Sequence, residues 1–356
     1  MASGKYAHLL KPLKIAERPG QEQIFKNTGN ADAIRWLNGR DHLEGVELNF
    51  SWGFYTGLGN WHPGMDPHVH PYPECLVFVG RDPYRPEYLG AKIRCCHGKE
   101  LEIHTFDKPS VLIAPNGFVH GPVFTLDVTS PIGFSFFIIS LSADPTTRWM
   151  GDGITDEQIK RMQEPQTEGG QKPLMKSSFA KKPIHVSEET VTHGHVNDRY
   201  IKPLIPNTMA RRELTSEERA QYGEMVEDGR KPGPGMTENA DWMFRKDLQG
   251  LKVNFSWGIQ TSPGLWLRGP GRGAHVHPVD EVLLFAGTEP SDIDYLGAEI
   301  QIDMGSEHER YIIDKPTAVV CRAGVPHNPI VTRWVDKPFA FLLMSLGASH
   351  QTTYID

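Results

Sequence analysis

Two short stretches of the chain carry the residue types of a metal centre. His68, His70 and Glu74 stand in the phrase HVHPYPE, and His275, His277 and Glu281 stand in HVHPVDE. In an extended strand, residues two apart share a face, so each trio points the same way. Leu76 and Phe78 continue that face in the first phrase, and Leu283 and Phe285 in the second. Val69, Cys75, Val77 and Val79 face the other way. Imidazoles and a carboxylate followed by apolar side chains describe the inside of a small barrel with ligands near one end. A carboxylate buried there without a partner is strongly disfavoured, and a divalent cation relieves that. Pro71, Pro73 and Pro278 interrupt the ladder, which predicts a bend, edge or bulge beside each trio.

A fourth ligand has to come from a distant strand. His120 follows Glu74 by 46 residues, and His327 follows Glu281 by the same 46. Gly117 and Gly324, three residues ahead of each histidine, permit a tight turn that aims it inward. Three imidazoles and a carboxylate suit Fe(II), Mn(II), Ni(II), Zn(II) or Cu(II), with Fe(II) or Mn(II) foremost and up to two ions per chain. Four protein donors leave two positions of an octahedron open, for a bidentate substrate or for substrate and O2.

The elements that must position these residues are themselves repeated. LNFSWG at 48–53 returns as VNFSWG at 253–258, YLGAKI at 88–93 as YLGAEI at 295–300, and SLSA at 140–143 as SLGA at 345–348. From His68 to Pro109 the second copy lies 207 residues downstream, and the same offset carries His120 onto His327. An offset shared by several motifs indicates duplication and two similar β-domains. The 35 glycines and 28 prolines fall mostly between short alternating apolar segments, which is turn chemistry for an all-β chain. Between the copies, a short helix capped by Thr155 is expected, then a mobile linker over 164–183. A second helix is expected over 215–229, with Thr215 and Glu218 as its capping box. The expected division is 1–150, a helical segment and linker over 151–198, and 199–356.

At this point the residues resemble a known family, the cupin superfamily in its two-domain, bicupin form. Gly269, His275, His277, Glu281 and Gly287 match the superfamily's first motif; His68, His70, Glu74 and Gly80 match it with His62 in place of the leading glycine. Pro115, Gly117 and His120 complete its second motif, which Gly324 and His327 match with Arg322 in place of the proline. The likeness covers roughly 45–143 and 250–348. It implies two tandem double-stranded β-helix (jelly-roll) barrels with short helical extensions. It also implies one mononuclear site at His68, His70, Glu74 and His120 and another at His275, His277, Glu281 and His327.

The stretches ahead of each HxH differ most between the copies. Arg268 and Arg272 are candidates for holding a substrate anion beside the second centre, which makes that barrel the expected catalytic one. Trp61 and Trp266 are placed either at the barrel mouths or in core packing. His62 reads as a loop residue, HGHVND at 193–198 as linker, and Cys75 and Cys321 as outward-facing core residues.

A formal charge of −7 and no basic run argue against a nucleic-acid partner. No 18-residue apolar stretch is present, and the first twenty residues lack the pattern of a secretory signal, so neither a membrane span nor export is expected. Four cysteines, two of them adjacent, fit a reducing, cytoplasmic compartment. A homo-oligomer is expected from the resemblance. Two enzymatic readings follow for a small-molecule substrate. One is an O2-using, dioxygenase-like oxidoreductase acting on a chelating phenol, enol or hydroxy acid. The alternative is a Mn-type non-oxidative decarboxylase, lyase or isomerase of a small carboxylate, similar to the oxalate decarboxylase type of bicupin. A non-catalytic, metal-supported binding protein is the third reading.

Overall fold

A computed structural model describes residues 4–13, 31–61, 67–144, 146–163, 196–204, 231–269, 271 and 273–355. The expected linker over 164–183, the expected helix over 215–229, His62 and Arg272 lie outside the described residues. The chain divides into two units. One comprises Lys14–Arg81 and Glu87–Leu204; the other comprises Met1–Leu13, Asp82–Pro86 and Ile205–Asp356.

In the first unit, one antiparallel sheet runs in the order 201–203, 110–114, 74–80, 134–140, 49–55, 31–38. The other runs 148–149, 68–69, 120–128, 91–97, 102–106, with 59–60 also paired to 120–128. The alternation of Glu74–Gly80 sets what lies inside. Leu76 and Phe78 join Tyr55, Trp61, Phe134 and Phe136 in a buried core. Trp61 belongs to that core: it stacks on Tyr55 at 4.1 Å and donates its indole N–H to Thr125 Oγ1 at 2.7 Å. The helix Asp156–Gln163 opens with a reciprocal cap, Thr155 N to Gln158 Oε1 and Gln158 N to Thr155 Oγ1. It lays Ile159 and Met162 against Val69 and Val119, so it backs the strand that carries His68.

The second unit repeats the plan. Its first sheet runs 10–12, 317–321, 281–287, 339–345, 254–260, 241–243. Its second runs 309–313, 298–304, 327–335, 275–276, 353–354, with 264–265 also on 327–335. In both units the proline-rich bend separates a two-residue strand holding the first histidine from a seven-residue strand that starts at the glutamate. Proline cannot donate to a ladder, so the break falls where the prolines are.

Each unit closes one sheet edge with a three-residue strand from the other half of the sequence. Leu10–Pro12 pairs with Thr317–Val319, and Ile201–Pro203 pairs with Ser110–Leu112. The N-terminal segment is anchored further by Lys5 N on the Glu309 carboxylate and by buried Leu9 and Leu13. Deleting residues 4–13 should therefore lower the urea midpoint of the unit spanning 205–356, by the loss of two buried leucines and one edge strand. An unchanged midpoint would show that segment to be an ornament.

The edge strand Asp241–Met243 holds an unusual group. Asp241 is 3 % exposed, and its Oδ1 has no hydrogen-bond partner. Burial pushes its carboxyl up to about 8. The folded chain thus keeps a proton that the unfolded chain releases near pH ~4. Its stability contribution is full below that pH and is lost as pH rises through about 8. In Asp241→Asn this decline should vanish, so that urea midpoints measured at pH 5 and pH 8 draw together.

Candidate metal centres

Register brings the distant ligands together. His120 lies directly opposite His68, and His327 directly opposite His275, across an antiparallel pair. The turns ahead of them are fixed by the same glycine contact in each unit. Gly117 N donates to His70 O at 2.8 Å, and Gly324 N to His277 O at 2.9 Å. Both glycines have φ near +70°, at 68° and 76°, where a side chain is strained. The second motif is thereby tied to the first.

In the first centre, His70, Glu74 and His120 are buried and His68 is half-buried. Glu74 Oε2 lies 3.1 Å from His120 Nε2 and 3.6 Å from His70 Nε2. Its other oxygen accepts from Ser140 Oγ at 2.6 Å. The ligand atoms of His68, His70 and His120 lie within 4.8 Å of one another. Backbone carbonyls set the ring tautomers: His70 Nδ1 donates to Thr146 O at 2.6 Å and His120 Nδ1 to Phe118 O at 3.0 Å. Each ring then presents an Nε2 lone pair inward, the form that binds a metal.

The second centre repeats this and adds to it. His275, His277 and His327 group within 4.8 Å, their Nδ1 atoms held by Gly273 O, Gln351 O and Val325 O. Glu281 Oε2 lies 3.5 Å from His277 Nε2 and 3.3 Å from His327 Nε2. Two further side chains close on the glutamate. His350 Nδ1 lies 3.4 Å from Glu281 Oε1, and the Cys321 sulfur groups with Glu281 and His327. Cys321 is directly opposite Glu281 in the ladder and so shares its face. The expectation that it faces outward is corrected here: cross-strand pairing decides its side. Cys75 holds no such position and is buried on the face opposite Glu74.

The charges suit a cation. Burial pushes the Glu74 carboxyl up, but His70, His120 and the Ser140 hydroxyl overcome this and hold it well below the usual carboxylate range. Glu281 behaves likewise through His277, His327 and His350. Burial drives His275 and His277 down, so these rings are neutral at pH 7, whereas at His327 the neighbouring Cys321 and Glu281 overcome burial and push the ring up, so an ion binding there would displace its proton. Ionised carboxylate and neutral imidazole are the protonation states that ligation demands. In the second centre His277 Nε2, Glu281 Oε1, His327 Nε2 and His350 Nδ1 are buried without a hydrogen-bond partner. The two ligand nitrogens, His277 Nε2 and His327 Nε2, are costly to bury in this way unless an ion satisfies them, and Glu281 Oε1 and His350 Nδ1 face each other at 3.4 Å, so the donors fit the group.

A cavity opens onto the second centre. Its apolar wall includes Trp242, Trp266, Leu283, Ile330, Phe341 and Leu343, and its ionisable groups are the four ligand residues, His350 and Tyr354. Arg268 does not line it; this side chain is exposed and donates to Pro232 O. From the sequence alone His350 has no assigned role and Cys321 falls on the outward face. The repeat did hold a signal for them: alignment sets Cys321 against Ala114 and His350 against Pro145.

The fold is that of a bicupin. Among similar solved structures is an arginine-to-alanine mutant of Bacillus subtilis oxalate decarboxylase, at 12% identity, 93% of this chain, 78% of that chain and a TM-score of 0.51. Another, from work on the Mn(II) centres of that enzyme, gives 11% identity, 92% and 76% coverage and a TM-score of 0.52. A tryptophan-to-tyrosine mutant gives 12%, 93%, 78% and 0.51. At such identity the likeness is one of fold. No protein-family model matches the chain, and no curated protein matches it.

Removing the Ser140 hydroxyl leaves a buried carboxylate oxygen unsatisfied. Ser140→Ala should lower stability by about 1–3 kcal/mol in urea unfolding, and a difference near zero would show that the bond contributes nothing.

Proposed function

We propose that the chain is a metal-dependent enzyme of the non-oxidative kind, releasing CO2 from a carboxylate held at a Mn(II)-type centre. The observation that carries this is the pair of four-residue clusters, His68, His70, Glu74, His120 and His275, His277, Glu281, His327, in a fold shared with a Mn(II) decarboxylase. Of the two chemistries expected from the sequence, the comparisons favour this one and lend nothing to the O2-using reading.

The metal, when bound, supplies the positive charge and Lewis acidity that hold and polarise a substrate carboxylate. The protein's own contribution is to fix donor geometry and exclude water. Among the described residues no arginine or lysine lines the second cavity, so of these only the ion would give an entering anion its counter-charge. The apolar wall suits a substrate whose carboxylate is attached to an apolar body. Trp266 is held in that wall by its indole N–H on Thr332 Oγ1 at 2.7 Å.

The test is a metal analysis of the isolated protein, followed by a panel of aliphatic and aromatic carboxylic acids with O2 uptake and CO2 release both followed. The expected result is Mn(II) at up to two per chain and CO2 without stoichiometric O2 consumption. Stoichiometric O2 uptake would restore the oxidative reading, and a chain that takes up no metal would end both. His275→Ala should abolish turnover, because its centre opens to the cavity; retention of full activity would move catalysis to the first centre.

A further inference from the structure

The two centres treat the far oxygen of their glutamate differently. In the first, Ser140 lies opposite Glu74 in the ladder and its hydroxyl holds Oε1 at 2.6 Å. In the second, Ser345 lies opposite Glu281 in the same register, yet its Oγ has no hydrogen-bond partner. The atom facing Glu281 Oε1 is instead His350 Nδ1, at 3.4 Å, a separation at which neither atom makes a hydrogen bond. His350 is 5 % exposed, lines the cavity, and packs its ring 4.7 Å from that of His277 and 5.7 Å from Trp242. The offset of 205 that carries Ser140 onto Ser345 puts Pro145 where the second copy has His350, so the first copy carries no imidazole at the aligned position.

We propose that His350 is a positioning residue of the second centre alone: with the metal bound, its Nδ1–H closes the 3.4 Å gap to Glu281 Oε1 and so turns Oε2 toward the ion. This rests on the metal-binding reading above. A carboxylate bound through one oxygen is oriented by what holds the other, and loss of such a partner typically weakens metal affinity by about 10- to 100-fold. Serine does this in the first centre through a short reach from the paired strand. In the second, the imidazole does it from the 346–352 loop, whose Gln351 carbonyl also fixes the His277 ring. One loop therefore orients two ligands.

The experiment uses the full chain carrying His68→Ala, which leaves the second centre to be read by itself. Mn(II) affinity is measured by competition with a chelator, and the bound ion by its electron paramagnetic resonance spectrum. His350→Leu should weaken Mn(II) binding by about 10- to 100-fold and change the spectrum. His350→Asn, whose side-chain N–H falls near the position of Nδ1, should restore both; His350→Gln, which carries its N–H further out, should not. Affinity and spectrum unchanged in His350→Leu overturn the proposal, as does equal behaviour of the Asn and Gln variants. If the parent chain with both centres intact takes up no Mn(II), the metal reading itself has failed. If it does and only the His350 variants are silent, the positioning role alone has failed.

Discussion

A negative charge buried inside each barrel is the constraint around which the rest is arranged. Glu74 and Glu281 are both nearly inaccessible to water and both held ionised by their neighbours. Keeping a carboxylate charged in such a place requires donors or a cation from several directions at once. The chain meets that need with two histidines from one strand, a third from a strand brought opposite by register, and backbone carbonyls that lock the rings. The prolines beside each HxH and the glycine before the last histidine follow from the same requirement. They stop the regular ladder and bend the chain so that the side chains converge.

Much of this was legible in the residues because it depends on short-range periodicity. Parity placed His70 with Glu74 and Leu76, and the duplicated spacing to His120 and His327 pointed to the remote ligand without any structure. Thr155 announced its helix for the same local reason. Cys321 and His350 were not legible in that way. The side on which Cys321 lies is set by its pairing with Glu281, a relation between residues 40 apart. His350 sits on a loop with no period to read. Arg268 shows the opposite failure: a suggestive position near the HxH motif, but a side chain that bonds to a neighbouring strand and stays in solvent. Charge near a motif in sequence says little about charge in its cavity.

Duplication has left the two centres alike in their ligands and unlike in what surrounds them. In the first, one glutamate oxygen accepts from the Ser140 hydroxyl and the other faces the His120 and His70 nitrogens. In the second, several donor atoms remain unsatisfied and a cysteine and an extra imidazole crowd the carboxylate. The same backbone plan thus supports one centre whose glutamate is held by a serine and another whose glutamate faces an imidazole and a thiol. That difference arises from single positions, Ala114 against Cys321 and Pro145 against His350, and required no change in topology.

The strands at the sheet edges have a consequence for how the protein comes into being. Leu10 pairs with Val319, so this segment belongs to a sheet whose other strands, between 241 and 345, are made only after the whole first barrel. During translation that segment has no partner in its own sheet, while the sheet built on Ser110–Ala114 waits for Ile201–Pro203, some ninety residues further on. Neither barrel can be finished from its own contiguous half. Contacts of such long separation are slow to form. The chain is therefore one assembly problem, and a gene cut between residues 163 and 196 would yield two halves that each lack the other's edge.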